Sequence, residues 1–254
     1  MNDLAPLLRL FTALDERLVR VQPTPWGAVV TDPRYPAIHD VNYARVDDGS
    51  GVTLADVEAA LVPALHASGA SQLHMATFDP VGSRPLLDEL EAARARFTYD
   101  TAMRFAGPGP EPPGAGHIVE EIDRIDDAFW AEQRAVLPEL DIRGDVLEQY
   151  LDWQRDVLVP FGKRWFVVRE QGRLVGTGAL VAHDGVAYVD DVVTVPDARR
   201  RGVARAVVTR IVSEGLRAAE EVFLLADEPD PIRLYGRLGF VEAGLVIGAV
   251  LASR

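Results

Sequence analysis

Apolar positions in the second half of the chain recur with two different periods. From residue 165 to 195 they form runs separated by short glycine-containing turns, such as Gln171-Gly172, which is typical of strands joined as hairpins. Beyond Pro196 the spacing changes to i, i+4 as far as about residue 219, which indicates a helix with one apolar face. The pattern therefore predicts a three-stranded antiparallel meander followed by a helix.

The pattern predicts further elements on both sides of this core. A strand over residues 222–226 precedes a short helix that Asp230 caps, with Pro231 at its first position, and that ends at Gly239. The other predicted elements of this half are a first strand over 117–122, helices over 127–137 and 145–158, and a final hairpin over 240–251.

A segment rich in proline and glycine separates this half from the rest of the chain. Residues 106–116 hold four prolines and four glycines, a composition that supports neither a helix nor a central strand. We interpret the segment as a linker between a first domain, residues 1–105, and a second domain, residues 117–254.

The first domain repeats part of the succession predicted for the second. Thr53-Leu-Ala-Asp56 has the form of a capping box that opens a helix. Helix, strand, helix and strand at similar offsets in both halves predict an internal duplication, with coincidence as the alternative. The predicted elements are a helix over 53–68, a strand over 72–78, a helix over 85–96 and a strand over 97–105.

Composition narrows the classes of function. The chain has 254 residues, of which 48% are hydrophobic, a formal net charge of −13 and no cysteine. The lack of cysteine excludes disulfides, thiolate metal sites and a cysteine nucleophile. Acidity argues against nucleic acid as a partner, because that binding depends on clustered basic side chains. No apolar run approaches the roughly 20 residues of a membrane span, and no basic leader opens the chain, so we expect a cytoplasmic protein.

The histidines, the loop of residues 32–43 and the lysine give weaker indications of function. His39, His66 and His74 lack the spacing of metal ligands, so we expect no metal. Residues 32–43 combine turn-forming, aromatic and polar side chains, which fits either the lining of a substrate pocket or a loop with an edge strand, and we favour the loop. Lys163 is the only lysine, so any side-chain contact to phosphate must come from arginine.

The strongest chemical signal lies where the meander gives way to the helix. Arg199, Arg200 and Arg201 stand beside Gly202 at this junction. A helix N-terminus leaves amide groups unpaired and attracts anions, whereas cations there are unfavourable unless an anion compensates them. The junction is therefore a candidate phosphate site. Neither a Walker loop nor a dinucleotide-binding glycine motif is present.

Two motifs resemble those of the GNAT acyltransferase superfamily. Arg199-x-x-Gly202-x-Ala204, following Val193-x-Val195-Pro196, resembles the acyl-CoA pyrophosphate motif, and Leu234-Tyr235-Gly-Arg-Leu-Gly239-Phe240 resembles the tyrosine helix with the Gly-Phe that follows it. The resemblance covers residues 117–254. It implies an α/β fold of the α+β type, with a mixed, mostly antiparallel sheet flanked by helices. Together with the predicted duplication, it implies that the first domain is a degenerate copy that binds no cofactor.

The resemblance also implies roles for the cofactor-binding residues. The backbone amides from Arg200 to Arg205 would hold the pyrophosphate of acetyl-CoA, and the strand that carries Val193 and Val195 would bind the pantetheine arm. This set comprises Val193, Val195, Arg199, Arg200, Arg201, Gly202, Val203, Ala204 and Arg205. A backbone N–H near Val193 would stabilise the oxyanion, and the parallel strands carrying Val193 and Leu224 would separate to admit the cofactor.

Catalytic roles remain open between alternatives. Tyr235 fits the acid that protonates the leaving thiolate, or it simply packs between helix and sheet. Asp190 and Asp191 are candidate bases; strand alternation places them on opposite faces, and we choose Asp191, with an ion-pair role as the alternative for either. Glu228 and His183 are weaker candidates.

We therefore predict an N-acyltransferase that moves an acetyl group from acetyl-CoA to an amine of a small molecule or peptide. The prediction includes no nucleic-acid or membrane partner and allows a homodimer. The first alternative is a non-catalytic acyl-CoA sensor or interaction protein. The second is an enzyme that binds a nucleotide phosphate in the same loop.

Overall fold

A computed structural model of the chain describes residues 4–109 and 116–251. The chain divides into two compact units, one formed by the described residues of Met1–Ala102 and Ala243–Arg254, and the other by those of Met103–Glu242. The last residues of the chain thus group with the first unit, whereas the sequence suggested two successive domains. Residues 110–115 of the predicted linker lie outside the described residues.

The fold is an α/β arrangement in which helices flank a mixed sheet, as the sequence predicted. The helices are α1 (Ala5–Asp15), α2 (Leu54–Ser68), α3 (Arg84–Ala92), α4 (Asp127–Val136), α5 (Gly144–Trp153), α6 (Val159–Phe161), α7 (Val203–Ala218) and α8 (Pro229–Arg237). The strands are β1 (Arg20–Thr24), β2 (Gly27–Thr31), β3 (Tyr43–Val46), β4 (Leu73–Thr77), β5 (Arg96–Phe105), β6 (Glu120–Glu121), β7 (Arg164–Glu170), β8 (Arg173–His183), β9 (Val186–Thr194), β10 (Glu221–Ala226) and β11 (Phe240–Leu251).

In the first unit, the strands follow the order β1-β2-β3-β4-β11. β3 and β4 are parallel and stay paired to their ends, since Ala44, Arg45 and Val46 lie opposite residues 75–77. Helices α2 and α3 cover this sheet and bury Val57, Leu61, Leu86 and Leu90 in its core.

Residues 32–43 form a loop with a short 3₁₀ helix, His39–Val41. The buried side chain of Asn42 organises it by donating to the carbonyl oxygens of Tyr35 and Ile38, at 2.8 and 2.9 Å, and by accepting the amide of Asp32. These hydrogen bonds satisfy the loop's own backbone, in keeping with the favoured prediction of a loop.

In the second unit, β6, β7, β8 and β9 are antiparallel neighbours, and β10 lies parallel to β9. The two turns of the meander, Gln171-Gly172 and Asp184-Gly185, have positive φ at both positions, as tight two-residue hairpins require. The predicted meander is confirmed.

Helix α7 packs closely on β8 because β8 carries two glycines. A Cβ at Gly176 would overlap Cγ1 of Val203, and one at Gly178 would lie 2.8 Å from side-chain carbons of Val207 and Ile211. The three α7 side chains are at most 1% exposed. The glycines therefore set how closely the first turn of α7 approaches the sheet.

Four predicted elements differ from the structure. The first strand shortens to Glu120–Glu121, and the second helix gives way to a π-helical turn at Gln154–Leu158. α8 begins at Pro229, two residues before the predicted Pro231, so Glu228 rather than Asp230 occupies its N-cap. The predicted final hairpin is wrong, because β11 runs as one strand whose last five residues pair with β4.

Both units contain the succession strand, helix, parallel strand, helix, strand. The first occurrence is β3, α2, β4, α3 and β5, and the second is β9, α7, β10, α8 and β11, although most of β11 groups with the first unit. The internal duplication itself stays a prediction. No helix among the described residues has the length and apolar character needed to cross a bilayer.

Candidate active site

The parallel strands β9 and β10 are paired only where they begin. Residues 186–188 lie opposite residues 221–223, and the register ends there, although β9 continues to Thr194 and β10 to Ala226. The backbone edge of β9 beyond Tyr188 is therefore not covered by β10. This opening agrees with the predicted separation of the strands that carry Val193 and Leu224.

The chain passes from β9 to α7 through a loop of unusual backbone conformation. Arg200 and Gly202 both have positive φ, +60° and +87°, and α7 begins at Val203 without a side-chain cap. Ala206 N–H bonds to the carbonyl of Gly202, but none of the hydrogen bonds among the described residues uses the amides of residues 200–205. Successive unpaired amides in such a turn form a concave site for an anion. A Cβ at Gly202 would point into open space.

In the first unit, the N-terminus of α2 corresponds to that of α7, and side chains already occupy it. The N-terminus of α2 has a complete capping box, in which Thr53 and Asp56 each accept the other's backbone amide. Glu89 Oε2 accepts the amide of Leu54 at 2.7 Å. Two carboxylates therefore occupy this helix end, where an anionic ligand would bind, so of α2 and α7 it is α7 that keeps its first turn open.

Two of the three loop arginines already have carboxylate partners. Arg199 Nη2 lies 2.7 Å from Glu139, and Arg201 Nη2 lies 2.8 Å from Glu170. The sequence argument that this basic run needs an external anion thus fails for Arg199 and Arg201. Arg200 makes none of the ion pairs formed among the described residues. The unpaired amides, rather than the arginine charges, distinguish the loop.

His117 is a loop contact that the sequence did not predict. Its Nε2 lies 2.8 Å from the carbonyl oxygen of Arg201, and its Nδ1 lies 3.9 Å from Glu170. Because the ring engages the Arg201 carbonyl, it helps to fix the orientation of the adjacent peptide groups. No local signal marked this residue, since 84 positions separate the partners.

A β-bulge in β9 reshapes the carboxylate pair. Asp191 has φ of +48°, and the pairing with β8 shifts there, so that Thr177 opposes Val193 while Ala179 opposes Asp190. A bulge interrupts the alternation of side chains along a strand. The expectation that Asp190 and Asp191 face opposite sides is therefore wrong.

Both carboxylates contact the single lysine of the chain. Lys163 Nζ lies 2.6 Å from Asp190 and 2.8 Å from Asp191, and its side chain is 0% exposed. Burial by itself would lower the pKa of Lys163, but the two carboxylates outweigh that effect and raise the pKa. The lysine is thus held as a buried ammonium between the two acids.

Asp191 is more completely hydrogen bonded than Asp190. It accepts the hydroxyl of Tyr150 at 2.7 Å and Nε2 of Gln154 at 2.8 Å, in addition to Lys163, and its side chain is 6% exposed. The Asp190 side chain is 27% exposed. Burial and the adjacent Asp191 raise the pKa of Asp190, against the opposing effect of Lys163.

Sequence reasoning missed Lys163, Tyr150 and Gln154. They come from helix α5, the π-helical turn and the start of β7, far from β9 in the sequence. A π-helical turn inside a helix frequently marks a functional site, and this one presents Gln154 to the bulge of β9. The one available sequence signal was the isolated lysine.

Tyr235 lies on α8 within the apolar core of the second unit. Its ring packs at 6.0 Å against Phe240, the residue is 8% exposed, and burial raises its pKa to about 12. Among the described residues the hydroxyl has no hydrogen-bond partner. The weaker candidates lie elsewhere: Glu228 occupies the N-cap position of α8 without a side-chain capping hydrogen bond, and His183 ends β8 with its ring 5.2 Å from Phe161.

The structure also gathers two histidines that the sequence treated as unrelated. His39, Asp40 and His74 of the first unit each offer a ligand atom within 4.8 Å of the others. His66 does not belong to this group. The inference that no metal ligands are present rested on sequence spacing, and it missed a pairing that the loop and β4 create.

Comparison with known proteins relates the second unit to one family. Residues 122–240 match the model of the acetyltransferase (GNAT) family. No protein of curated function matches the sequence.

Solved structures share the fold at low identity. A GCN5-related N-acetyltransferase from Kribbella flavida is 17% identical, with a TM-score of 0.70 over 97% of this chain and 94% of that one. A functionally unknown conserved protein from Staphylococcus epidermidis ATCC 12228 is 12% identical, with a TM-score of 0.71 over 92% and 93%. A structure assigned to the GNAT family, from Novosphingobium aromaticivorans DSM 12444, is 21% identical (TM-score 0.48); the match covers 63% of this chain and 66% of its length.

Proposed function

We propose that this chain, whose residues 122–240 match the model of the GNAT acetyltransferase family, is an N-acyltransferase that moves an acetyl group from acetyl-CoA to an amine. The observation that carries the proposal is the row of unpaired amides before and in the first turn of α7, beside strands that have separated. The residues present fit a cosubstrate that combines a pyrophosphate with an amide-containing arm.

The pyrophosphate would occupy the loop of residues 200–205. Six amides are available there, and the open space at Gly202 allows a phosphate to approach the backbone. Arg200 is the loop arginine that forms no ion pair with the described residues, so it is the side chain best able to add charge to this site.

The pantetheine arm would lie along the uncovered edge of β9. Val195 N–H bonds to the carbonyl of Val175 on β8. Alternate residues of a strand direct their backbone N–H and C=O groups to the same edge. Val193 therefore also addresses β8, and the amides that face the open edge belong to Val192 and Thr194. We therefore assign the oxyanion donor, expected near Val193, to the amide of Val192, which lies next to the bulge.

We assign the general base to Asp190. One of its oxygens contacts Lys163, and the carboxylate keeps partial exposure, so it can take a proton from the acceptor ammonium and leave the neutral amine that attacks the thioester. A raised pKa makes Asp190 a stronger base than an ordinary carboxylate. As pH falls through that pKa the base becomes protonated, and kcat/KM falls with it.

Asp191, which the sequence favoured as the base, is instead a positioning residue in this scheme. Three donors already occupy its carboxylate, and its strained backbone maintains the bulge that turns Asp190 toward Lys163. Two carboxylates share one ammonium, so the group retains one negative charge. That charge favours a cationic amine as the acceptor, on a small molecule or a peptide.

Tyr235 is proposed as the acid that protonates the leaving thiolate. Its pKa of about 12 keeps the phenol protonated at neutral pH, and its hydroxyl is not committed to any described protein group. The position in the helix before the Gly239-Phe240 pair is the one that the family resemblance assigns to this role.

The test measures binding and turnover separately. Acetyl-CoA should raise the melting temperature of the purified chain, and free CoA should appear when amines, including lysine peptides, are supplied as acceptors. Asp190→Asn should lower turnover while leaving the acetyl-CoA-induced thermal shift unchanged. The matched variant Asp191→Asn should alter the pH profile through the displaced Lys163.

Two outcomes distinguish the alternatives. Binding of acetyl-CoA without CoA release on any acceptor would support the non-catalytic sensor. Stabilisation by ATP with none by acetyl-CoA would replace the proposal with a nucleotide-binding enzyme.

A further inference from the structure

None of the three residues His39, Asp40 and His74 has a role in the function proposed above. His39 and Asp40 begin the 3₁₀ helix of the loop, and His74 is the second residue of the neighbouring strand β4. All three belong to the first unit, for which the sequence offered no chemistry. One ligand atom from each lies within 4.8 Å of the other two.

Part of this group already has the spacing of metal ligands. In a tetrahedral zinc site with bonds of about 2.1 Å, adjacent ligand atoms stand roughly 3.4 Å apart. His39 Nε2 and Asp40 Oδ1 are separated by 3.4 Å. Their side chains are 50% and 59% exposed, so both can adjust to bring the remaining separations to the same value.

The loop holds the ring of His74 in place through one ring nitrogen. It is 7% exposed, and its Nδ1 lies 3.2 Å from the carbonyl oxygen of His39. A carbonyl can only accept, so Nδ1 carries the proton and Nε2 keeps its lone pair. Metal-bound histidines commonly donate their second ring nitrogen to a backbone carbonyl in this way.

The surrounding structure fixes the loop before any ion binds. The amide of Asn42 donates to the same His39 carbonyl at 3.0 Å, and its side chain ties Tyr35 and Ile38 to the loop. The rings of His39 and His74 meet edge to face, with centroids 4.7 Å apart, and Tyr43 borders the His74 ring at 5.9 Å. Because the backbone is already ordered, binding would require little more than side-chain rotation.

We propose that His39, Asp40 and His74 form a Zn²⁺ site in the first unit, with the fourth position open to water. Two imidazoles and a carboxylate suit zinc better than magnesium or calcium, which prefer oxygen ligands. Exposure of His39 and Asp40 provides the entry path. The ion would join the loop to β4.

Calorimetric titration of the full chain tests the site. The chain is prepared without a histidine tag, stripped with EDTA and titrated with ZnCl₂ at pH 7.5. We expect one equivalent to bind, with a rise in melting temperature, while MgCl₂ produces neither. Co²⁺ should give the intense visible bands of a four-coordinate ion.

Variants on the exposed side of the group avoid the risk that the buried His74 is needed for folding. The double variant His39→Gln, Asp40→Asn should lower zinc affinity at least about tenfold and remove the Co²⁺ bands. His66→Gln, at an exposed histidine of α2 outside the group, should leave both unchanged. Failure of the parent to bind zinc, or unchanged binding by the double variant, would overturn the proposal. None of these measurements depends on acyl transfer, so the result is independent of the function proposed for the second unit.

Discussion

Replacing Gly202 by glutamate perturbs the proposed pyrophosphate site at its centre. Gly202 has φ of +87° and open space where a Cβ would stand, so the new side chain extends into the region that the amides of α7 address. The left-handed conformation adds about 1–2 kcal/mol of backbone strain. A carboxylate roughly 5 Å from a phosphate adds a repulsion of about 1–3 kcal/mol for each phosphate charge.

These magnitudes predict a large loss of affinity. Repulsion from two phosphates, about 2–6 kcal/mol, corresponds to a weakening of about 30-fold or more, and about 2.8 kcal/mol is enough for 100-fold. At 100 times its Kd a ligand stabilises the folded state by about 2.7 kcal/mol, which raises the Tm by roughly 5–10 °C for a protein of this size. After a 100-fold loss the same concentration gives about 0.4 kcal/mol, or roughly 1 °C.

A second glycine separates strain from loss of the site. Gly185 has φ of +77°, also with open space around a Cβ, but it lies in the hairpin before β9, at the opposite end of that strand from Thr194. Gly185→Glu should lower the Tm of the free chain about as much as Gly202→Glu. It should keep the full acetyl-CoA shift, measured by differential scanning fluorimetry. A full shift in Gly202→Glu would refute the assignment of the loop.

Three further predictions test the catalytic acid, the packing of α7 and a buried carboxylate. Tyr235→Phe should lower turnover more than acetyl-CoA affinity, and equal rates in variant and parent would exclude the phenol as the acid. Gly176→Ala should destabilise the chain by about 1–3 kcal/mol in urea unfolding, because the methyl group overlaps Val203. The control Gly236→Ala, where a Cβ meets open space, should be neutral or slightly stabilising. Similar losses of stability in both variants would contradict the packing argument. Burial raises the pKa of Asp15 to about 7, although Arg45 opposes the shift. Between about pH 4 and 7 the folded state therefore binds more protons than the unfolded state. The contribution of Asp15 to stability is accordingly lost as pH rises through that window. Asp15→Asn should remove this part of the pH dependence, which urea unfolding at pH 4.5 and pH 8 would detect; an unchanged difference between the two pH values would argue against it.

Local signals in the sequence were sufficient for most helices and strands. The capping box at Thr53, the glycine turns of the meander and the i, i+4 spacing of α7 each depend on neighbouring residues, and the structure contains all three. The N-terminal helix and the hairpin of β1 and β2 were not predicted. β11 was misread as a hairpin because its pairing with β4 joins residues about 170 positions apart, which no local pattern records.

In the candidate site, too, the parts built from consecutive residues were predicted, and the parts built from distant residues were not. The phosphate loop was found because its amides, glycine and helix start are consecutive in the chain. The carboxylate group was found only in part, because its geometry depends on the bulge at Asp191 and on Lys163, which directly precedes β7. Alternation predicts opposite faces for adjacent residues only where a strand is regular, and a bulge removes that basis.

The two units show why cofactor binding cannot be inferred from the order of elements alone. Each contains a parallel strand pair joined by a helix, yet the pair of the first unit stays together and the first turn of α2 is occupied by Thr53, Asp56 and Glu89. In the second unit the strands separate, and the first turn of α7 has no side-chain cap. An unpaired amide at a helix end is costly unless water or a ligand satisfies it. The open first turn of α7 beside separated strands, in contrast to the occupied first turn of α2 beside paired strands, therefore indicates which unit binds an anion.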